Sequence, residues 1–398
     1  MKPAIDVIGN KRCSGCFGCY NSCQFDAIEI KLNEHGFYMP RIDKNKCTEC
    51  GNCQKYCPVI TVQNDNSRDP KYYATKSNDI ELQINSSSGG IFGELARDIL
   101  GKGGVVFGAG WDTELNLFHK PIEKIDNLIS IQGSKYIQSD MGKIYKDIIL
   151  LAGKGKDILF CGTPCQVAAL NTFFVGNAGL KEKITTCDLV CHGVASTLVF
   201  NKYLENIEDF YKSKIKEVYF RSKKTGWADF SMKIKMTNGK TYQKSHKFDP
   251  FMSGFLNDIY LRDSCYECPF SKIPRFGDIT LGDLWGASKE VYDHYGVSII
   301  TVNNSNGQKK VDELVKASKI KFKEYPSDRA NENNPRIVHG KLAIPPIRKD
   351  FMDNLQNRSF ESLAKDYIDE KKFMLRLKKQ IKYWRFRYIK NRVKRIWQ

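Results

Sequence analysis

No uninterrupted apolar stretch in this 398-residue sequence approaches the roughly 20 residues that carry a helix across a bilayer, so no membrane-spanning helix is expected. The N-terminus, Met1-Lys2-Pro3-Ala4-Ile5-Asp6, lacks the apolar run of a signal sequence. A chain without an export signal is expected in the cytoplasm, a reducing compartment, where its fourteen cysteines serve as metal ligands and not as disulfides. Acid is also scarce: 45 Asp and Glu stand against 63 Lys and Arg, a formal charge of +18. The excess points to an anionic partner without choosing one. No recognised nucleic-acid-binding pattern accompanies it, which disfavours nucleic acid.

What is abundant is cysteine at regular spacing. Cys13, Cys16, Cys19 and Cys23 read C-x2-C-x2-C-x3-C, and Cys47, Cys50, Cys53 and Cys57 repeat that spacing, followed by Pro58. Each triplet wraps a tight loop around one corner of a cubane, with Gly15, Gly18 and Gly51 easing the turns. The fourth cysteine of each run faces away and serves the other cluster. One 4Fe–4S cluster is therefore expected on Cys13, Cys16, Cys19 and Cys57, and the other on Cys47, Cys50, Cys53 and Cys23. Structural zinc also uses C-x2-C pairs but has no need of the doubled run. The pattern resembles two-cluster bacterial ferredoxins, departing at Gln24, where many have proline. Residues 1–62 are expected to form this ferredoxin-type domain, with a short strand in Gly36–Ile42 and a polar linker over 61–70.

A larger domain is expected over 71–345, enough chain for a sizeable core. Apolar residues at 91, 92, 95, 96, 99 and 100 give a helical stripe. Ser86-Ser87-Ser88-Gly89-Gly90 leads into it, placing hydroxyls and free amides at a helix N-terminus. That suits the pyrophosphate of a dinucleotide; an ordinary serine-capped helix is the alternative. The strand Asp157–Cys161 runs into Gly162-Thr163-Pro164-Cys165-Gln166, where Thr163 and Gln166 form a capping box. Cys165 then lies in the first helical turn, where the dipole favours a thiolate. The strand Ile184–Val190 ends at Cys191-His192-Gly193. Alternation through Phe230–Met236 and Asn238-Gly239 mark a hairpin, and Gly296–Val302 reads as a central strand. Cys165, Cys191, Cys265 and Cys268 could supply a third four-thiolate site, with zinc or unrelated buried thiols equally compatible with the pattern.

Six blocks then occur in order: Ser87-Ser88-Gly89-Gly90, Gly133-Ser134-Lys135-Tyr136, Gly162-Thr163-Pro164-Cys165-Gln166, Cys191-His192-Gly193, Cys265-Tyr266-Glu267-Cys268-Pro269, and Gly277-Asp278 with Gly282-Asp283-Leu284-Trp285-Gly286. Together they resemble the coenzyme F420 hydrogenase/dehydrogenase beta-subunit family, from about residue 10 to about residue 340. The resemblance implies an α+β protein: a dicluster domain, then a mixed α/β domain that binds FAD. It implies a third 4Fe–4S cluster on Cys165, Cys191, Cys265 and Cys268. It implies flavin contacts from Ser87, Ser88, Gly89, Gly90, Ser134, Lys135 and Tyr136. Cys161 and Cys187 lie outside the blocks and read as buried small residues. His192 is a candidate proton donor or a partner of the cluster loop. The implied activity is that of a flavin-dependent iron–sulfur oxidoreductase acting on an organic substrate, coenzyme F420 or a related compound. A redox partner, ferredoxin or a companion subunit, would exchange electrons with it. The alternatives are a pure electron-transfer subunit and, from another class, an iron–sulfur nucleic-acid-binding protein.

The residues 346–398 read as a helical basic extension. From Lys371 to Gln398 there are twelve Lys or Arg and no acid. Met374, Leu377, Ile381, Trp384 and Tyr388 fall at helical spacing. Such a helix suits the surface of an anionic membrane, or docking on its own protein or on an acidic subunit.

Overall fold

The computed structural model describes residues 1–61, 64–175 and 177–368. The Lys371–Gln398 amphipathic helix expected above lies outside the described residues. No described helix is long and apolar enough to cross a membrane.

Among the described residues, thirteen strands form three sheets. β1 (Ile28–Leu32) and β2 (Tyr38–Ile42) make an antiparallel hairpin between the two cysteine runs. Eight strands form the main sheet: β3 (Lys71–Ser77), β4 (Val105–Trp111), β5 (Leu117–Ile122), β6 (Ile158–Gly162), β7 (Ile184–Leu189), β11 (Ile279–Asp283), β12 (Ser298–Val302) and β13 (Ile320–Glu324). Their order is β13-β3-β12-β11-β7-β6-β4-β5. The neighbours β4, β6, β7 and β11 are mutually parallel, and antiparallel β5 and β12 flank them. The third sheet is antiparallel, β10 (Thr241–Ser245), β9 (Ser231–Met236) and β8 (Ile215–Ser222).

The parallel strands are largely buried because both faces are covered, and the buried polar residues of β7, such as Thr186 and Asp188, are partnered by Asp278 and Arg275. Helix Ile91–Gly101 packs Leu95, Ala96 and Ile99 on one face with Val106, Leu159 and Ile300. Helices Ile144–Gly153 and Pro164–Thr172 cover the other with Ile148, Val167 and Leu170 against Phe107 and Phe160. Cys161 and Cys187 are directly paired across β6 and β7; Cys187 is buried in the core, and half-buried Cys161 packs against it.

Two segments beside the expected boundaries are tied to the large domain. Residues 64–70 of the polar segment are bonded to it. Asn64 Nδ2 donates to the carbonyls of Pro274 and Arg275, and Asn66 Nδ2 to those of Arg275 and Gly277. The asparagines that read as turn formers supply hydrogen bonds at a docked surface. Likewise the extension expected from residue 346 begins inside the core. Phe351, Met352, Leu355, Phe360 and Leu363 are buried with the aromatic cluster between the three-stranded sheet and helix Thr197–Tyr211.

The cysteine-rich module is docked on the main sheet's helices. Phe17 sits in the core beside Ala169. Gln138 Nε2 donates to Ser14 O and Gly15 O, and Asn21 Nδ2 to Gly142 O. Gly15 has no freedom to change. Its φ is +60°, and a Cβ there would lie 2.5 Å from Arg262 Nη2 and 2.7 Å from Tyr38 O.

Candidate functional site: three groups of thiols and a serine–glycine loop

The second cysteine run and Cys23 line one pocket. Its wall contains Cys23, Cys47, Cys50 and Cys53, with Met1, Phe25, Ile28 and Ile42. Cys23 thus shares a wall with the second run, the grouping the crossing assignment calls for. Two of these sulfurs receive amides: Ala4 N donates to Cys53 Sγ at 3.3 Å and Ala27 N to Cys23 Sγ at 3.4 Å. Burial nonetheless raises Cys53, with the Ala4 amide offsetting part of the effect. Cys50 is exposed, so this pocket reaches the surface.

The other four thiols, Cys13, Cys16, Cys19 and Cys57, lie deeper. Burial pushes Cys16 up to about 12, and Cys57 and Cys13 are the next-door thiols that add to it. Burial raises Cys19 as well, followed by Cys16, Cys13 and Cys57. Cys13 and Cys57 share a small core with Ala4, Ile8 and Met39.

The third group is assembled by the parallel sheet. Cys161 and Cys187 are register partners on β6 and β7, and Cys165 and Cys191 each lie four residues further on. Adjacent parallel strands therefore deliver both to the carboxyl edge of the sheet, the usual ligand side of such folds. The segment before Cys265 pairs with the segment after Cys191: Ala195 bridges Leu261, and Arg262 N donates to Val194 O at 3.0 Å. A Cβ on Gly193 would lie 3.3 Å from Cys265 Cβ. Cys268 is tied down by its own amide, which donates to Gly340 O. Burial raises all of Cys165, Cys191 and Cys265, the last two to about 12 and about 11. Cys268 is the largest neighbouring thiol for Cys165 and Cys265, and Cys265 for Cys191. The capping box at Thr163 and Gln166 is present. Its expected consequence, a dipole-favoured thiolate at Cys165, is overruled by burial, although Thr163 Oγ1 lies 3.1 Å from the sulfur.

Buried thiols crowded together need a positive centre before they can ionise. Among the described residues no three His, Cys, Asp or Glu side chains stand at single-ion spacing. A cubane instead takes one thiolate per iron at separate corners, which suits thiols spread around a pocket.

Two buried arginines, which nothing in the spacing signalled, connect these groups. Arg262 donates through Nη1 to Cys13 O (3.0 Å) and through Nη2 to Tyr38 O (2.7 Å) and Gln138 Oε1 (2.9 Å). It thus reaches the deep group from a position three residues before Cys265. Arg336 donates through Nε to Cys191 O at 3.0 Å and through Nη2 to Cys265 O at 3.3 Å. Tyr145 forms a second link, its hydroxyl within 2.8 Å of Cys16 O and 3.1 Å of Gln166 O. The deep group and the third group are therefore neighbours, and Cys16 adds to the charge felt at Cys165.

The flavin candidates also converge. The Ser86–Gly90 loop enters helix Ile91–Gly101 with Gly90 at φ +90°. Ser134 N donates to Ser87 Oγ at 2.7 Å, joining the Ser-Gly loop to Ser134-Lys135-Tyr136. The other loop groups are engaged by protein: Ser88 Oγ donates to Val297 O, and Gly89 N to Ser298 Oγ. Gly89 is required for packing, since a Cβ would lie 2.5 Å from Thr75 O. Lys135 Nζ is bonded to Ala109 O and Gln132 O, both at 2.8 Å, and burial pulls it down to about 7. Lys223, absent from the sequence reading, donates to Gln83 O (2.6 Å) and Ser88 O (2.9 Å) and is also pulled down to about 7, by burial and then Arg221. Arg221 pairs with Asp283, which accepts from Trp227 Nε1 at 2.7 Å, and Trp227 stacks on Trp285 with centroids 5.1 Å apart. Lys223 thus meets the loop directly at Ser88 O, with the Arg221–Asp283 pair beside it.

His192 stands beside Cys191 with Nε2 2.7 Å from Asp258 Oδ1, a contact without hydrogen-bond alignment. Its ring leans on Phe255 at 5.1 Å. That places it against the third thiol group and away from the serine–glycine loop's own hydrogen bonds.

Comparison with known proteins matches residues 155–328 to the C-terminal part of the coenzyme F420 hydrogenase/dehydrogenase beta-subunit family. Residues 12–60 match one 4Fe–4S dicluster domain family, and residues 39–87 another. The chain is 46% identical over 54 residues to the B component of the Na(+)-translocating ferredoxin:NAD(+) oxidoreductase complex of Acetobacterium woodii. It is 36% identical over 61 residues to an uncharacterized polyferredoxin-like protein of Methanocaldococcus jannaschii. Each match covers 13% of this chain, and 15% and 36% of those relatives' lengths. A chain of the F420-reducing NiFe hydrogenase complex from Methanosarcina barkeri aligns with TM-score 0.48 and 15% identity, over 69% of this chain and 93% of that one.

Proposed function

We propose that this chain, whose residues 12–60 match a 4Fe–4S dicluster domain family and whose residues 155–328 match the C-terminal part of the coenzyme F420 hydrogenase/dehydrogenase beta-subunit family, is a flavin-dependent iron–sulfur oxidoreductase. The observation that carries this reading is the arrangement of the thiols: a surface group, a deep group and a third group in succession, the last at the carboxyl edge of the parallel sheet. We assign Cys23, Cys47, Cys50 and Cys53 to one cluster. Cys13, Cys16, Cys19 and Cys57 take the second, and Cys165, Cys191, Cys265 and Cys268 the third. Bound there, 4Fe–4S clusters carry single electrons, and FAD couples them to two-electron chemistry.

The chain's own residues supply placement. Ser87, Ser88, Gly89 and Gly90 form the helix start that would take the flavin's phosphates, with Ser134, Lys135 and Tyr136 alongside. Lys135, Lys223 and Arg221 offset their charge. His192, beside the third group, is assigned proton transfer to an organic substrate, coenzyme F420 or a relative of it. The exposed Cys50 loop is where a ferredoxin or companion subunit would dock. For the basic tail, contact with an anionic membrane and docking on its own protein or an acidic subunit are equal readings of the sequence.

The decisive measurement is flavin and iron counted in the same anaerobic preparation. We expect one FAD per chain alongside the iron. Protein that holds its iron and does not take up FAD would fit a subunit that only carries electrons, and would sink the enzyme reading.

The crossing has its own test. Cys57→Ala is expected to damage the deep cluster and spare the surface one, and Cys23→Ala to do the reverse. Electron paramagnetic resonance should find different survivors in the two variants; the same loss in both would contradict the assignment.

A further inference from the structure

Arg336 is 6% exposed, and its Nη1 has no hydrogen-bond partner. Its other two arms end on the carbonyls of Cys191 and Cys265, two of the four residues assigned to the third cluster. Among the described residues it forms no ion pair with a carboxylate; the same holds for Arg262, which is 3% exposed and has an unpartnered Nε. A buried cation with only carbonyl acceptors is costly, and the cost is removed by an anion nearby. The described residues supply none. The backbone does not hold Arg336 there by chance: its carbonyl accepts from Arg275 Nη1 at 3.2 Å, fixing the short turn Pro335–Ile337.

We propose that Arg336 is a positioning residue whose charge balances the third cluster and raises its reduction potential above the value the four thiolates alone would give. This rests on the assignment of Cys165, Cys191, Cys265 and Cys268 made above. The physics is one of sign. A cluster held by four thiolates is anionic, about −2 when oxidised, and reduction adds another negative charge. A fixed cation in a site shielded from water favours the reduced state. With its potential raised, the third cluster becomes a better electron acceptor than it would be without Arg336. The orphan Nη1 and the missing carboxylate are explained together.

The test compares full-length wild type, Arg336→Gln and Arg336→Lys, each reconstituted anaerobically. Iron and sulfide are counted, and each cluster signal is followed by resonance spectroscopy during a redox titration. In Arg336→Gln one signal should move to lower potential, with its reduced-to-oxidised ratio at fixed potential falling about tenfold. For a one-electron couple that is about 59 mV. The other two signals should stay. Arg336→Lys keeps the charge and should lie near wild type. If Arg336→Gln loses four irons while Arg336→Lys keeps all three clusters at wild-type potentials, the charge is required outright and the proposal stands. Unchanged potentials in Arg336→Gln with all clusters present would overturn it, as would an Arg336→Lys that behaves like Arg336→Gln. A wild type holding only two clusters would instead remove the third cluster itself, a different result from three clusters with unmoved potentials.

Discussion

Replacing Cys265 by serine is expected to lower the iron of anaerobically reconstituted protein from about twelve to about eight atoms per chain, four per cubane. Two resonance signals should survive and the third should vanish. The expectation follows from geometry. Cys265 shares its surroundings with Cys268 and Cys191, and its backbone is locked to Val194 through Arg262. A serine oxygen there is a poorer ligand for iron than a soft thiolate. The eight thiols of the N-terminal module keep their own pockets, so their clusters have no direct reason to fail. One coupling runs the other way: Arg262 bonds Cys13 O and lies three residues before Cys265. A collapse of the whole Cys265 loop would therefore also broaden the deep cluster's signal. Cys268→Ser, at the far end of the loop, separates the two cases, because ligand loss alone gives the same count of about eight. A wild type that holds only about eight irons, unchanged by either substitution, would remove the third cluster.

The parts of this protein written locally were legible. The doubled cysteine run was plain from spacing alone, and Cys23, Cys47, Cys50 and Cys53 line one pocket. The capping box and the hairpin at Asn238-Gly239 are short-range chemistry and fell where expected. The third thiol group was legible only by resemblance, because its members come together through the register of β6 and β7 and through the pairing of Ala195 with Leu261. Arg262, Arg336 and Lys223 carried no signal at all. Each looks like one more cation in a basic chain, and each acts across 70 residues or more of sequence. Cys165 shows the limit of local reasoning in another way: the helix start was read correctly, and burial outweighed the dipole.

Arg275→Met is expected to destabilise the protein by about 3–5 kcal/mol, the cost of leaving one half of a buried ion pair uncompensated. Arg275 and Asp188 are both fully buried, with Nη2 3.0 Å from Oδ1. Arg275 also donates to Leu189 O at 2.8 Å and Arg336 O at 3.2 Å. Methionine fills much of the volume, so the loss is one of charge and hydrogen bonds more than of packing. Asp188 Oδ2 still accepts from Phe276 N and Gly277 N at 3.2 and 3.1 Å, which should hold the result toward the lower end of the range. Denaturant unfolding of apoprotein measures it, with Asp188→Asn/Arg275→Met beside it. Removing both charges should recover part of the loss; a double variant less stable than the sum of the two single ones would contradict the pairing. A second readout ties the pair to the metal site. Leu189 is two residues before Cys191, and Arg336 contacts both Cys191 and Cys265, so Arg275 stiffens the third thiol group from two directions. Arg275→Lys keeps a cation but not the planar fork that spans Asp188, Leu189 and Arg336. It should retain most of the stability lost in Arg275→Met, yet hold the third cluster's iron less firmly under a chelator than wild type does. Equal iron loss in Arg275→Lys and wild type would confine Arg275 to the folding of the sheet and leave the thiol group indifferent to it.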